Sequence, residues 1–381
     1  MKWICCQVGA REHYAVPRAL QLHSLLDEFI TDLWSKRLND RFHPALAGAK
    51  VTAPNISALT FELKAQATGI NGWELITQRN EWFQQRAVDH LLKQPANSPR
   101  TVFAYSYAAE RIFKFAHEQG WRTVLGQIDP GPAEEQRIAE LHKKARQNHW
   151  QPAPPEYWMR WRNECALADQ IVVNSSWSRG ALLSEGVPAE KIRILPVAYE
   201  PAAESIAFQR QYPSAFTAER PLRVLFLGQI NLRKGIGQLF DAVELLAGEK
   251  VEFWFVGPVQ IDITSKIRDR AKWFGVVPRS DVDQYYKDAD VFIFPTLSDG
   301  FGLTQLEAQS WKLPVVASRY CGDVVRDGVN GVVLEEVSGC AIADMLEKFL
   351  HSPEMLRAMS ANSGIDDRFS LKSLGSSLSN L

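Results

Sequence analysis

Short apolar runs alternate with stretches of helical periodicity along most of the chain. In the first half, runs typical of buried strands lie at 3–9, 101–107, 122–129, 170–176 and 191–197. Because such runs are apolar on both faces of the strand, helices must cover both faces of the sheet that they form. The alternation therefore predicts a parallel sheet with helical crossovers.

Two of the intervening stretches have a clear helical pattern. Residues 16–35 have apolar side chains at helical spacing, and Pro17 lies near the start, where proline is tolerated. Residues 108–120 have the same periodicity and end at Gly120, which suits a C-terminal cap. We predict a helix in each stretch.

The segment 198–221 breaks this rhythm with prolines and small or polar residues, so we interpret 199–221 as a linker. A second series of apolar runs follows at 222–228, 251–257, 290–296, 314–318 and 331–335. The pattern predicts two tandem Rossmann-like, doubly wound α/β domains that face a cleft, at 1–198 and 222–365. We expect the tail, 366–381, to pack back on the N-terminal domain.

Composition and charge narrow the class of protein. A chain of 381 residues suits about two or three domains, and a formal net charge of -1 gives no global electrostatic case for nucleic-acid binding. The spacings of the five cysteines suit neither a disulfide framework nor a zinc site, so we expect buried thiols in a reducing compartment. No signal-peptide pattern and no apolar stretch near the ~20 residues that span a bilayer are present, so we expect a cytoplasmic protein.

The sequence DGFG at 299–302 follows one of the buried strands and precedes a helix that we expect to begin near Leu303. Its two glycines permit a tight turn and a close approach of the backbone to a ligand. Free N–H groups at the start of the helix favour a phosphate. Glu307, about one turn into the helix, could accept hydrogen bonds from hydroxyl groups, and Asp299 would face the same cleft. A turn aspartate and a surface glutamate are the alternative explanation.

A second polar cluster follows the strand that ends at Gly228. Arg233 and Lys234 lie immediately before Gly235 and a helix. Two cations beside the start of a helix could hold a diphosphate and stabilise its charge as it leaves. An exposed basic turn is the alternative explanation for the same residues.

These stretches and their order resemble the retaining glycosyltransferases of family four, which have the two-domain GT-B fold. That family carries a G-R-L-x-x-x-K-G loop and, later, an E-G-F-G-L-x-x-L-E stretch. The corresponding stretches here are GQINLRKG at 228–235 and DGFGLTQLE at 299–307. The resemblance is specific from about residue 164 to 350 and general before that.

The resemblance implies transfer of a sugar from a nucleoside-diphosphate sugar to an acceptor hydroxyl, with retention of configuration and without a metal or other cofactor. Glu307 would bind the ribose of the donor, and Asp299 its sugar. Arg233 and Lys234 would neutralise the diphosphate. The other residues that the resemblance assigns to the nucleotide are Gly228, Gly300, Phe301, Gly302, Leu303 and Thr304. The acceptor would be a carbohydrate or a lipid-linked molecule of polysaccharide or glycolipid assembly.

Three departures from the family pattern leave other functions open. Asp299 stands where the family has Glu, and Gln229 replaces the Arg of the first loop. Where the N-terminal domain usually offers a His, this chain has Gln127 and Asp129. These departures favour, as the alternative, a non-catalytic GT-B protein that binds a sugar nucleotide as a scaffold, and a sugar-nucleotide epimerase is a third hypothesis. A dehydrogenase is disfavoured because neither GFGLTQ nor GIGQLF completes G-x-G-x-x-G.

Three weaker signals lie in the N-terminal domain. His13 follows the first strand, where the family's acceptor loop lies, and is more often structural than a ligand. The stripe that begins with Trp158 and Trp161 has helical spacing and predicts a core-facing helix. The basic run at 142–150 would attract anionic lipid at the inner face of a membrane, or a phosphorylated acceptor, although such runs are usually solvated helix faces.

Overall fold

The computed structural model describes residues 1–37, 43–94, 99–145 and 150–381. Within these ranges the N-terminal domain is built on seven parallel strands. The strands are β1 (Lys2–Gln7), β2 (Leu26–Thr31), β3 (Val51–Thr52), β4 (Arg100–Tyr105), β5 (Arg122–Gln127), β6 (Gln170–Val173) and β7 (Ile192–Ile194). Their spatial order is β3-β2-β1-β4-β5-β6-β7. The sheet reverses its strand order between β1 and β4, as in a doubly wound fold.

The C-terminal domain repeats this plan. Its strands are β8 (Leu222–Leu227), β9 (Val251–Val256), β10 (Ala271–Gly275), β11 (Val291–Phe294), β12 (Val315–Ser318) and β13 (Gly331–Leu334). Their spatial order in the part of the chain that is described is β10-β9-β8-β11-β12-β13, and all pairs are parallel. The predicted fold class, two tandem doubly wound α/β domains, is confirmed.

Helices cover both faces of each sheet. The helices are α1 (Ala15–Leu22), α2 (Asn55–Thr68), α3 (Gly72–Leu91), α4 (Glu110–Glu118), α5 (Pro132–Ala145), α6 (Pro155–Leu167), α7 (Ser176–Ser184), α8 (Ala203–Ile206), α9 (Ile236–Leu245), α10 (Ser265–Arg268), α11 (Val282–Asp288), α12 (Thr304–Ser310), α13 (Gly339–His351), α14 (Pro353–Ala361) and α15 (Leu371–Ser379). Successive side chains of a strand point to opposite faces, and Val224 and Leu225 of β8 accordingly lie in two different apolar clusters. This two-sided burial explains why the strands are apolar without alternation.

The predicted helix over 16–35 is wrong beyond Leu22. The helix α1 ends there, Ser24 takes a left-handed conformation with φ of 57°, and Leu26–Thr31 forms β2, which pairs in parallel with β1. Five of the six residues of β2 are buried. Asp27 and Glu28 interrupt the apolar run of this strand, and Glu28 is buried because Thr52 and His90, which are distant in sequence, form hydrogen bonds with its carboxylate at 2.6 and 2.8 Å. The local pattern therefore did not indicate a buried strand. The second predicted helix is confirmed as α4, with Gly120 left-handed at φ of 68°.

Two segments tie the chain ends to the domains. Leu374 and Leu378 of α15 are buried in the same apolar cluster as Ala19 of α1, so the last helix lies on the N-terminal domain. Tyr212 and Phe216, from the segment that we interpreted as a linker, are buried in the core of the C-terminal domain. The chain therefore crosses between the domains twice.

Burial tests two weaker predictions, the core-facing helix and the buried cysteines. Trp161 is 1% exposed, and Cys165 and Ala168 are buried with it, so the core-facing helix is confirmed as α6. Four cysteines are buried free thiols and Cys340 is exposed. Part of the basic run, 146–149, lies outside the described residues. Among the described residues, no helix combines the length and the apolar character needed to cross a membrane.

Candidate functional site

The loop after β8 is shaped so that its two cations face the end of β11. The side chain of Asn231 accepts a hydrogen bond from the backbone N–H of Lys234 at 3.1 Å and caps the turn. Gly235 then adopts φ of +73°, and a Cβ there would lie 1.9 Å from the carbonyl oxygen of Pro295. Only glycine permits this conformation at this approach. The loop is therefore packed directly on the segment that leads to Asp299.

Asp299 closes an ion-pair cluster with the two cations. Its carboxylate forms an ion pair with Nζ of Lys234, and Nη1 of Arg233 lies 3.8 Å from Oδ2. Arg233 also donates to the carbonyl oxygen of Ser298 at 2.9 Å. Burial by itself would raise the pKa of Asp299, but Lys234 and Arg233 hold it below its ordinary value. The carboxylate is therefore ionised, and it neutralises cations that the resemblance assigns to a diphosphate.

The glycine turn after Asp299 also contacts the N-terminal domain. A Cβ at Gly300 would lie 2.1 Å from the carbonyl oxygen of Ile128, which follows β5 of the other domain. The hydroxyl of Ser175, which caps α7, donates to the carbonyl oxygen of Gly300 at 2.9 Å. The ring of Phe301 is buried, so this residue can offer only its backbone to a ligand. Gly302, with φ of +83°, sets its backbone directly against the ring of Phe294.

Glu307 lies on α12, apart from the cluster around Asp299. Its Oε2 accepts a hydrogen bond from the hydroxyl of Tyr286 at 2.9 Å, and its Oε1 is 3.9 Å from Nη2 of Arg279. Burial raises the pKa of Glu307, and the bond from Tyr286 opposes that rise. The same Arg279 donates to Nε2 of His13 at 3.2 Å, across the domain interface. His13 therefore faces the C-terminal domain rather than its own core.

Asp129 lies in the N-terminal domain, where proteins of the resembled family usually have a His. Its Oδ1 accepts from the hydroxyl of Tyr107 at 2.5 Å and from the N–H of Gly131 at 2.8 Å. Burial raises the pKa of Asp129 despite these bonds. Gln127 holds Asp129 through its amide N–H and accepts from the indole of Trp161 at 2.8 Å, so it positions its neighbours.

One carboxyl of the cleft, that of Glu134, was not predicted from the sequence. It lies in the first turn of α5, and its Oε2 is 3.7 Å from Nη1 of Arg233. A signal was available in the sequence: Pro132 marks the start of a helix shortly after the end of β5. The carboxyl end of that strand faces the cleft, so the first turn of the helix should lie near it. Tyr286 was not predicted either, because it belongs to no motif in the sequence.

The structure thus brings the predicted residues into two groups. Arg233, Lys234 and Asp299 form one cluster, and Glu307 with Tyr286 forms the other. The glycines and backbone at 300–304 connect the two groups along the chain, while Gly228, with φ of +146°, ends β8 on the same side. Among the described residues, no group of three or more His, Cys, Asp or Glu side chains is arranged to hold a metal ion.

Known proteins match part of this chain in sequence. The amylovoran biosynthesis glycosyltransferase AmsK of Erwinia amylovora is 26% identical over 182 residues, which cover 43% of this chain and 43% of AmsK. The D-inositol 3-phosphate glycosyltransferase of Xylanimonas cellulosilytica is 31% identical over 189 residues, which cover 43% of this chain and 44% of that protein. The chain therefore spans about half the length of the curated relatives that it matches.

A solved structure matches the whole chain. The crystal structure of Anabaena Alr3699/HepE in complex with UDP-glucose covers 100% of both chains, with a TM-score of 0.63 and 14% identity. At this identity the match shows the fold, which is the two-domain GT-B fold expected from the sequence. Residues 209–364 match the description Glycosyl transferases group 1. The similarity to the glycosyl transferases of group 1 therefore lies in the C-terminal domain.

Proposed function

We propose that the protein is a retaining, metal-independent glycosyltransferase that moves a sugar from a nucleoside-diphosphate sugar to an acceptor hydroxyl. The observation that carries this proposal is the convergence of Arg233, Lys234 and Asp299 at the edge of the C-terminal sheet that faces the other domain. Two cations held at one point suit a diphosphate, and a carboxylate beside them suits the hydroxyls of its sugar.

Each group then has a defined task. Glu307 accepts hydrogen bonds from the ribose, and the hydroxyl of Tyr286 orients the carboxylate of Glu307 by donating a hydrogen bond to it. Asp299 binds the donor sugar once the diphosphate has drawn Lys234 away from it. Backbone N–H groups at 300–304 contact the phosphates, but α12 has only seven residues, so its dipole is small and the side-chain cations carry most of the stabilisation.

The reaction breaks the bond between the anomeric carbon of the sugar and the diphosphate oxygen. The acceptor oxygen attacks that carbon on the face from which the diphosphate leaves, so the new bond keeps the original configuration. The proton of the acceptor hydroxyl passes to the departing phosphate oxygen. Arg233 and Lys234 stabilise the charge that develops on the diphosphate, which is the task that a metal ion performs in other transferases.

The acceptor is proposed to be a carbohydrate or a lipid-linked carbohydrate. Support comes from the N-terminal domain, whose Asp129 lies beside Gly300 of the donor side and accepts a hydrogen bond from Tyr107. It comes also from AmsK, which is named for amylovoran biosynthesis. A protein that works on such acceptors would act in the cytoplasm, in part at the inner face of the membrane.

Thermal stabilisation by UDP-glucose, GDP-mannose and ADP-glucose tests donor binding directly. A ligand that binds only the folded protein stabilises it by about 2.7 kcal/mol at roughly 100 times its Kd. We expect one nucleotide class to raise the Tm of the wild-type protein. We expect Glu307→Ala to lose that shift, because its carboxylate is the group that meets the ribose.

Glu347→Ala is the matched control, because Glu347 is an exposed glutamate on α13, outside the cleft. It should retain the full shift. The absence of a shift with all three nucleotides in well-folded wild-type protein would contradict the proposed function. A shift without any sugar transfer to an acceptor or to water would instead support the non-catalytic scaffold.

A further inference from the structure

Glu134 is a largely buried carboxyl that reaches across the domain interface. Its side chain is 16% exposed, and among the described residues no donor lies within hydrogen-bonding distance of its Oε2. The nearest opposite charge is Nη1 of Arg233 in the other domain, at 3.7 Å. A buried carboxylate with so few partners is costly, so its protonation is finely balanced.

The surroundings of Glu134 oppose its ionisation. The pKa of Glu134 is raised to about 7, chiefly by burial; Arg233 and a hydrogen bond with Ser298 oppose the rise, and Asp129 and Asp299 add to it. On its own helix, Arg137 is engaged with the ring of Tyr320, 3.9 Å from the centroid, and does not serve Glu134. The neighbouring Glu135 forms its hydrogen bonds with Trp158 and Ala153 instead.

The arrival of a donor must change this balance. Without a ligand, the charges of Arg233 and Lys234 are met by Asp299 and by Glu134. The diphosphate of a donor adds negative charge at the same cations. Like charges at such short range, away from water, repel strongly. Either a carboxylate leaves the cluster or it takes up a proton.

We propose that Glu134 is a positioning residue that holds Arg233 while the cleft is empty and releases it by taking up a proton from solvent when the diphosphate binds. This inference rests on the proposed function, because it concerns binding of the same donor. Glu134 is the group that can respond in this way, because the pKa of Asp299 lies below its ordinary value and its carboxylate stays ionised to bind the sugar. Donor binding is therefore coupled to proton uptake by the N-terminal domain.

The sign of the pH dependence follows from this coupling. The protonated form of Glu134 binds the donor better, so affinity is highest below its pKa and falls as the pH rises through it. The phosphates of a nucleotide sugar have no weakly acidic proton left and stay ionised throughout. We expect the affinity of the wild-type protein to fall about tenfold between about pH 6 and pH 8.

Isothermal titration calorimetry with the nucleotide sugar that stabilises the protein best among UDP-glucose, GDP-mannose and ADP-glucose tests this inference. At pH 8 the measurement is made in two buffers with different ionisation enthalpies, and the difference reports the number of protons taken up. The wild-type protein should take up close to one proton per donor. Glu134→Gln, which keeps the shape and stays neutral, should take up almost none and bind about tenfold more tightly than wild type at pH 8.

Glu140→Gln is the matched control, since Glu140 is exposed on the same helix. It should behave as wild type in both affinity and proton uptake. An unchanged pH slope in Glu134→Gln would assign the proton to another group, such as Asp129, and overturn this inference while leaving the proposed function intact. Binding of none of the three nucleotide sugars by wild type would instead overturn the proposed function itself.

Discussion

We expect Lys234→Ala to lower turnover by about a hundred- to a thousandfold while the protein remains folded. The ammonium group of Lys234 is buried beside Asp299 and 5.0 Å from the centre of the Phe294 ring, where little water can replace it. A charge fixed at that position stabilises the diphosphate most when it leaves. The loss should therefore appear in kcat more than in KM.

Initial rates of sugar transfer, with circular dichroism as the check on folding, measure this effect. Lys266→Ala is the control, because Lys266 is an exposed lysine of the same domain that pairs with Glu244 at 2.7 Å. Exposed pairs of this kind contribute about 0–1 kcal/mol, so that variant should keep its rate. Turnover near the wild-type level in a folded Lys234→Ala protein would contradict the assignment of Lys234 to the leaving group.

The second large effect is expected from Gly300→Ala, which we predict to lower turnover by about a hundredfold. The added methyl group would lie 2.1 Å from the carbonyl oxygen of Ile128, so the two domains must move apart by roughly 1 Å. A displacement of about 1 Å between reacting groups costs on the order of a hundredfold in rate. Each domain keeps its own core, so the variant should fold.

Transfer rates of Gly300→Ala and Gly180→Ala, with circular dichroism as the check on folding, test this prediction. Gly180 lies on α7 with no atom within 4 Å of an added Cβ, and alanine there should leave the rate unchanged. We expect only Gly300→Ala to lose turnover. Wild-type turnover in that variant would mean that the close approach of Gly300 to Ile128 plays no part in the reaction.

The cluster around Asp299 could be predicted from the sequence because its members lie in two short continuous segments. The turn at 299–302 and the pair Arg233 and Lys234 each follow a buried strand and precede a helix, and the structure joins them through ion pairs. The strand β2 could not be predicted in the same way. Its run contains Asp27 and Glu28, and the burial of Glu28 depends on hydrogen bonds with Thr52 and His90 from other segments of the chain.

Other members of the cleft could not be located from the chain alone. Glu134 meets Arg233 from the other domain, and Tyr286 meets Glu307 from a neighbouring helix. Neither Glu134 nor Tyr286 belongs to a motif in its own segment of the chain. Their importance depends on distances between atoms that are far apart in sequence and on the exclusion of water around them, which neither spacing nor composition reports.

Local patterns along the chain predict the two α/β domains, their order and the segments that supply the cations and carboxylates of the C-terminal site. Apolar runs are buried in a sheet, glycines permit tight turns, and residues at the carboxyl ends of parallel strands meet at one edge. Which charges face one another depends instead on how the two domains pack. Packing Gly300 against Ile128 sets the distance between the domains, and with it the pairing of Arg233 with Glu134. Electrostatic energies depend on that distance and on burial, so they are properties of the folded protein alone.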